Sequence, residues 1–577
     1  MAPRFHMPQF SLLWFSAVLP LCLLAAGLQA HAAVYQWSVT IDDVVSSETK
    51  DHPRAFLWVP DHCQTVRAVV IADQNMEEEQ IFQDPAFRKT LAELGFAEVW
   101  IAPAMGPISF RFDQGEGDRL ERLMKTLADR SGYAELEFAP LVPAGHSATA
   151  SWGWDVAAWS PKRVLAVLSI SGQWPYFDSK YWGDCSVDDV PGLTTKGEYE
   201  IEASLEQGWY AGLKGDFYQK HPFNAFTQVV EPGDGHFSAS AEKIALIGLF
   251  LRKAAQYRLP AGASAGHEPV MLTPIDPKKD GWLYEVWHLD APPSAAAAPV
   301  SQYKGKRDRA FWAFDEEMAK AIEVFQGRFR GQPTLLIGYK QKNGLAPPTT
   351  DHPGVHLKFE PVDDGITFHL SGGFWDRVPP TPDGKPAGWD KCLAEDGRKF
   401  AQNDPIPHPQ DEEGRLTIAP LCGPVAQTAP DTFAIRFNRV GLNNPKRSSD
   451  IWFFLTYPGD DTYKKMVQQA ELQFPLTNTR GKPQKIDFPA IPDQQAHPSM
   501  EPVQLKATSS AGIPVYYYVP EGPAEVDDRG MLTFTPIPPR SNYPISVTVV
   551  AWQWGRSIDP LIQSAKPVEQ TFSIVAP

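Results

Sequence analysis

The sequence contains no Cys-x-x-Cys pair, and its 14 histidines are scattered without metal-ligand spacing. A zinc site is not a reading these residues support, so neither a metal nor any other cofactor is expected. Positive charge is in deficit as well. Lys and Arg number 53 against 69 Asp and Glu, and the net charge of −16 excludes a non-specific grip on nucleic acid. After residue 32 no stretch is long and apolar enough to span a membrane. Disorder is excluded by a hydrophobic content of 43% with 12% aromatics. A chain of 577 residues exceeds one core, so several domains are expected. The 55 prolines favour loops and edge-rich β structure over long helices.

The first residues carry one Arg, then an apolar block, then Ala30-His31-Ala32. That order reads as a secretory signal peptide over 1–32, with a small-x-small cleavage site and an exported mature chain, periplasmic or extracellular. An uncleaved anchor is the alternative, and Pro20 within the block speaks against it. Cys22 follows Leu21, where a lipoprotein signal needs a small residue. Removing the leader leaves Cys63, Cys185, Cys392 and Cys422, and export permits disulfides. Cys392 and Cys422 share one β-rich region, which favours that pairing; Cys63 and Cys185 can pair or stay free.

From residue 33 short β-branched runs such as RAVVIAD alternate with helical periods such as PAFRKTLAEL, and Leu120, Leu123 and Leu127 line one face of a helix. This rhythm predicts a mostly parallel sheet covered on both faces, over 33–265. A β-rich middle domain with one helix follows over 266–483. The tail, 484–577, alternates apolar and polar residues between turns. Ile486, Phe488, Leu505, Ala507, Gly512-Ile513-Pro514-Val515 and Gly522-Pro523-Ala524 resemble bacterial immunoglobulin-like repeats, which implies a β-sandwich and says little of function.

The apolar run LVPA ends abruptly at Gly145-His146-Ser147-Ala148-Thr149. A nucleophile elbow turns a strand sharply into a helix and holds its serine exposed, with small residues two before and two after it. Gly145 meets the first requirement, whereas Thr149 brings a branched side chain to the second. A helix-capping serine is the alternative. A triad needs an acid and then a histidine downstream. Gly197-Glu198-Tyr199-Glu200 ends one strand-like segment; Glu200 is the favoured acid and Glu198 the close alternative. His236, in the loop GDGHF just before a helix, sits where a general base belongs.

Ser147, Glu200 and His236, in that order and on those elements, resemble the α/β-hydrolase superfamily over residues 34–257, within its secreted-esterase and dienelactone-hydrolase-like branches. The resemblance implies an eight-stranded, mostly parallel sheet. It further implies Ser147 as nucleophile, His236 as base, Glu200 as its orienting acid, and oxyanion donors at Ala148 and at Gln74 or Asn75. The absence of an HGGG run argues against the lipase branch.

These readings point to a secreted serine esterase whose substrate is an ester, with acylated polysaccharide preferred on export and on tryptophan content. Trp174, Trp182 and Trp209 are the candidates for stacking on sugar rings, although packing of the fold is the simpler use of each. Arg111, Lys180 and Lys196 are cations a substrate carboxylate could meet, each more simply a surface charge. A serine peptidase is the second reading, with Glu77-Glu78-Glu79 as a candidate site for a peptide amino terminus. A non-catalytic glycan-binding protein on a hydrolase scaffold is the third.

Overall fold

The computed structural model describes residues 34–47, 49–105, 110–177, 179–200, 217–238, 240–285, 291–349, 354–379, 403–410, 413–439 and 450–577. The leader, Trp209 and Cys392 lie outside the described residues.

The amino-terminal unit is built on one eight-stranded sheet. Its strands are β1 (Trp37–Thr40), β2 (Arg54–Trp58), β3 (Ala68–Asp73), β4 (Phe96–Ala102), β5 (Leu141–His146), β6 (Val167–Ile170), β7 (Gly192–Gly197) and β8 (Phe226–Glu231). The order is β1-β2-β4-β3-β5-β6-β7-β8; β1, β2 and β4 pair antiparallel and all later pairs are parallel. Every residue within strands β3 to β8 is buried, so both faces are covered. The eight mostly parallel strands agree with an α/β-hydrolase architecture.

Helices α1 (Glu77–Gln83), α2 (Pro85–Leu94), α3 (Glu116–Ser131), α4 (Ala150–Trp159) and α5 (Ala241–Arg258) connect the strands. Their ends follow local chemistry. The Asp84 carboxylate accepts the Ala86 and Phe87 N–H groups, Pro85 fills the first turn, and Gly95 at φ 69° closes α2. In α3, Leu120, Leu123 and Leu127 are buried on the face the periodicity predicts. Trp154 of α4 reaches the start of β7, where a Cβ on Gly192 would come within 1.9 Å of the indole.

The segment grouped by sequence with the β-rich middle domain is divided in the structure. Strands β9 (Trp282–Glu285), β10 (Ala298–Pro299) and β11 (Ala310–Ala313), with helix α6 (Glu316–Gly327), belong to the core of the α/β unit. They dock on β8: Thr227 donates to the Trp312 carbonyl at 2.6 Å, Tyr284 to the Gln228 carbonyl at 2.6 Å, and Val230 N–H to Gln326 at 2.9 Å. The physical reason is that β8 is the edge of the sheet, and its unpaired side needs covering. The second core begins at Leu335.

That second core is enclosed by short sheets. The longest strands, Asp450–Tyr457 and Met466–Gln473, pair antiparallel between Thr417–Cys422 and His356–Leu357. In the tail a four-stranded and a three-stranded sheet enclose a third core that contains Phe488, Leu505, Leu532, Val547 and Phe572. The tail touches the α/β unit at several points: Arg540 meets Glu135 at 3.0 Å, Arg54 meets Glu521 at 3.3 Å, and the Gly522 N–H donates to the Tyr35 carbonyl at 2.9 Å. Cys63 and Cys185 are unbridged thiols, one buried and one exposed. Cys422 is buried, and the pairing expected with Cys392 falls outside the described residues.

Gly192→Ala should destabilise the protein by about 1–3 kcal/mol through overpacking against Trp154, measured as a lower urea midpoint with an unchanged slope.

Candidate active site

β5 runs buried along its whole length and stops at His146; Ser147 follows at φ 50°, in the left-handed region. A non-glycine residue held there costs roughly 1–3 kcal/mol, so the surroundings must enforce it. They do so from two sides. A Cβ on Gly145 would fall 2.2 Å from the Thr149 carbonyl oxygen, so only glycine lets the turn close. The Thr149 hydroxyl accepts the His146 N–H at 3.3 Å and donates to the His146 carbonyl at 3.2 Å. Thr149 itself has φ −92° and ψ 1°, a conformation that needs no glycine. The residue that departs from the Gly-x-Ser-x-Gly pattern thus fastens the turn.

Ser147 Oγ lies 2.7 Å from Nε2 of His236, and Nδ1 of His236 lies 2.8 Å from Oε2 of Glu200. With the carboxylate at Nδ1, that nitrogen carries the proton, and the Nε2 lone pair accepts the serine hydroxyl. Glu200 is buried, and its other oxygen accepts the Gly197 N–H at 2.8 Å. Burial alone would raise its carboxyl, but Lys196, at 3.5 Å, together with His236 and the Gly197 N–H, holds it well below the usual carboxylate range. Glu200 is therefore an anion throughout the neutral range. Lys196, one of the possible surface cations, is buried and faces this carboxylate.

Glu198, the alternative acid, points elsewhere. Its carboxylate accepts from Lys464 Nζ at 2.8 Å and from the Gly233 N–H at 2.8 Å.

The oxyanion donors expected on the β3 side are engaged inside the protein. Gln74 N–H donates to the Ile101 carbonyl at 2.9 Å, and Asn75 N–H donates to Oε1 of Glu78. The Asn75 side chain donates to the His146 carbonyl at 2.7 Å, bracing the strand that precedes the serine. The cause is Glu78, near the start of α1, whose other oxygen accepts the Met76 N–H at 2.8 Å. Ala148 differs, standing in the first turn after the elbow, where backbone N–H groups have no intrahelical partner.

Trp174 and Trp182 do not form a platform. Trp174 and Trp182 are each 4% exposed; Trp174 packs among Phe217, Phe226 and Phe311, and Trp182 donates to Asp155 at 2.8 Å. Their large apolar area is more stable in the core than on a loop surface. Glu77, Glu78 and Glu79 are buried too, and Glu77 pairs with Lys243 and with His146. His146, behind the His236 ring at a centroid distance of 5.2 Å, is kept neutral by burial and by the nearby Lys243 ammonium.

No protein-family model and no curated protein matches the chain. Among solved structures it is similar to Est1E from Butyrivibrio proteoclasticus, at 14% identity over 38% of this chain and 99% of that one, with a TM-score of 0.25. It is also similar to a dienelactone hydrolase from Anabaena variabilis, at 15% identity over 38% and 96%, TM-score 0.25. A hyperthermophilic esterase from Pyrobaculum calidifontis shows 13% identity over 39% and 86%, TM-score 0.26.

Asp73, at the end of β3, is buried, and burial reinforced by Glu78 and Glu116 pushes its carboxyl up to about 8 despite the Met105 N–H it accepts. An unfolded aspartate titrates near ~3.9, so between roughly pH 4 and 8 the native state holds a proton the unfolded chain lacks, and stability falls as pH rises. Asp73→Asn should therefore raise stability at pH 9 by roughly 2–5 kcal/mol and change little at pH 4, read from urea midpoints at the two pH values.

Proposed function

We propose that this chain is a serine hydrolase of carboxylic esters that works through an acyl-enzyme. The observation that carries the reading is the continuous hydrogen-bonded line from Ser147 Oγ through His236 to Glu200, begun by a serine in a strained conformation. Nε2 of His236 takes the hydroxyl proton as Oγ attacks the ester carbonyl. The Ala148 N–H donates to the oxygen that becomes negative, and the imidazolium, facing ionised Glu200, returns its proton to the departing alcohol. Water then repeats the sequence on the acyl-enzyme and releases the acid. A second oxyanion donor on the Asn75–Met76 turn must be shared with Glu78.

The expected leader makes this an exported enzyme. Acylated polysaccharide as substrate rests on that export alone, because Trp174 and Trp182 are core residues. The peptidase reading loses its distinguishing feature, since Glu77, Glu78 and Glu79 are buried and engaged.

The test uses the mature full chain with p-nitrophenyl acetate and a fluorophosphonate label. Ser147→Ala should abolish both turnover and labelling. Glu200→Gln should lower kcat by about 10²–10⁴-fold with little change in KM. Turnover indifferent to Ser147 would sink the assignment.

A further inference from the structure

We propose that Lys464 and Lys465, from the β-rich unit, are positioning residues for the catalytic base and its acid. The inference rests on the serine-hydrolase reading and adds that the α/β unit does not hold its own site in register.

Acid and base stand on neighbouring turns, Glu198–Glu200 after β7 and Gly233–His236 after β8. These turns are tied to each other: Glu198 N–H donates to the Glu231 carbonyl at 3.0 Å and Tyr199 N–H to the Asp234 carbonyl at 2.9 Å. A Cβ on Gly197 would lie 2.1 Å from the Gly235 carbonyl oxygen, so the contact is close.

The pair is then gripped from the β-rich unit. Tyr199, between Glu198 and Glu200, buries its ring in the second core, and its hydroxyl lies 3.3 Å from that of Thr334. Lys464 Nζ reaches Glu198 at 2.8 Å; Lys465 Nζ reaches Glu231 at 2.9 Å and Asp234 at 2.8 Å. The Val467 N–H donates to the Gly233 carbonyl at 3.0 Å, where Gly233, at φ 79°, leaves no room for a side chain against the Lys465 backbone. Phe237, next to the base, packs on Trp452 at a centroid distance of 5.0 Å.

Glu198, Glu231 and Asp234 are each at most 4% exposed, so their charges need partners, and Lys243 is the cation the α/β unit itself offers Glu231. Lys464 and Lys465 complete the set. Without Lys465, nothing from the β-rich unit bridges Asp234 and Glu231 across the turn that leads into His236, and the Nε2–Oγ distance opens.

The test is made on the full chain. Lys465→Met should lower kcat and the fluorophosphonate labelling rate by about tenfold to a hundredfold with KM within about twofold, as expected for a base displaced by about 1 Å. The downfield resonance of the His236 Nδ1 proton should broaden or vanish. Asp234→Asn combined with Lys465→Met removes the bare carboxylate and should recover most of both signals. Arg540→Gln breaks the distant contact with Glu135 and should leave both as in the wild type. An intact rate and resonance in Lys465→Met overturns the proposal, as does equal loss in Arg540→Gln and Lys465→Met, which reports docking alone. Ser147→Ala separates the two readings: turnover surviving it removes the hydrolase assignment, while the Nδ1 resonance still reports on the lysines.

Discussion

A buried carboxylate is costly unless its charge is met, and this chain buries several within one pair of turns. Glu198, Tyr199 and Glu200 are consecutive, yet they serve two bodies. Glu200 faces His236, Tyr199 enters the second core, and Glu198 meets Lys464. A tight turn after a strand sends neighbouring side chains in different directions, so one tripeptide can join a reactive site to a second unit. Across the junction, Glu77, Glu198, Glu231 and Asp234 face Lys243, Lys464 and Lys465. Burial and the nearby Glu231 charge push the Asp234 carboxyl well above its ordinary range, and Lys465 acts against that push.

The elbow is a second constraint of the same kind. Its strain is held by steric exclusion at Gly145 and by the two hydrogen bonds of Thr149. The glycine usual two residues after the serine relieves crowding. Here the crowding is tolerated and the threonine hydroxyl is used instead, which exchanges conformational freedom for bonding.

Much of this was legible in the sequence because it was local. Buried strands, the apolar face of α3, the period of α2 and the elbow context depend on residues near one another, and periodicity or turn chemistry reports them. Ser147, Glu200 and His236 stand out by order and element context, with Glu200 preferred to Glu198. Their distances could not be known. What stayed hidden depends on contacts between distant segments. Nothing in DTYKK marks two lysines that end buried against another unit, and a Glu run at a helix entry reads the same whether solvated or engaged. Trp174 and Trp182 are hidden for a related reason, since a loop-like stretch can still pack its aromatic ring inward. That residues 282–327 join the α/β core is hidden as well, because the need of β8 for cover on its open edge is a demand only the assembled sheet reveals.

The ionic character of the junction bears on what the β-rich unit does. An apolar junction of equal area would bind at least as tightly, because buried ion pairs recover little beyond their desolvation cost. An apolar face, however, tolerates sliding, whereas a lysine set between two carboxylates does not. Lys465 meets Glu231 and Asp234 at once, and the Val467 N–H fixes Gly233 beside them. Tight binding alone would need none of this. A loop whose histidine must stand within hydrogen-bond reach of Ser147 needs all of it, and that asymmetry makes the β-rich unit part of the site's construction, more than a spacer attached behind it.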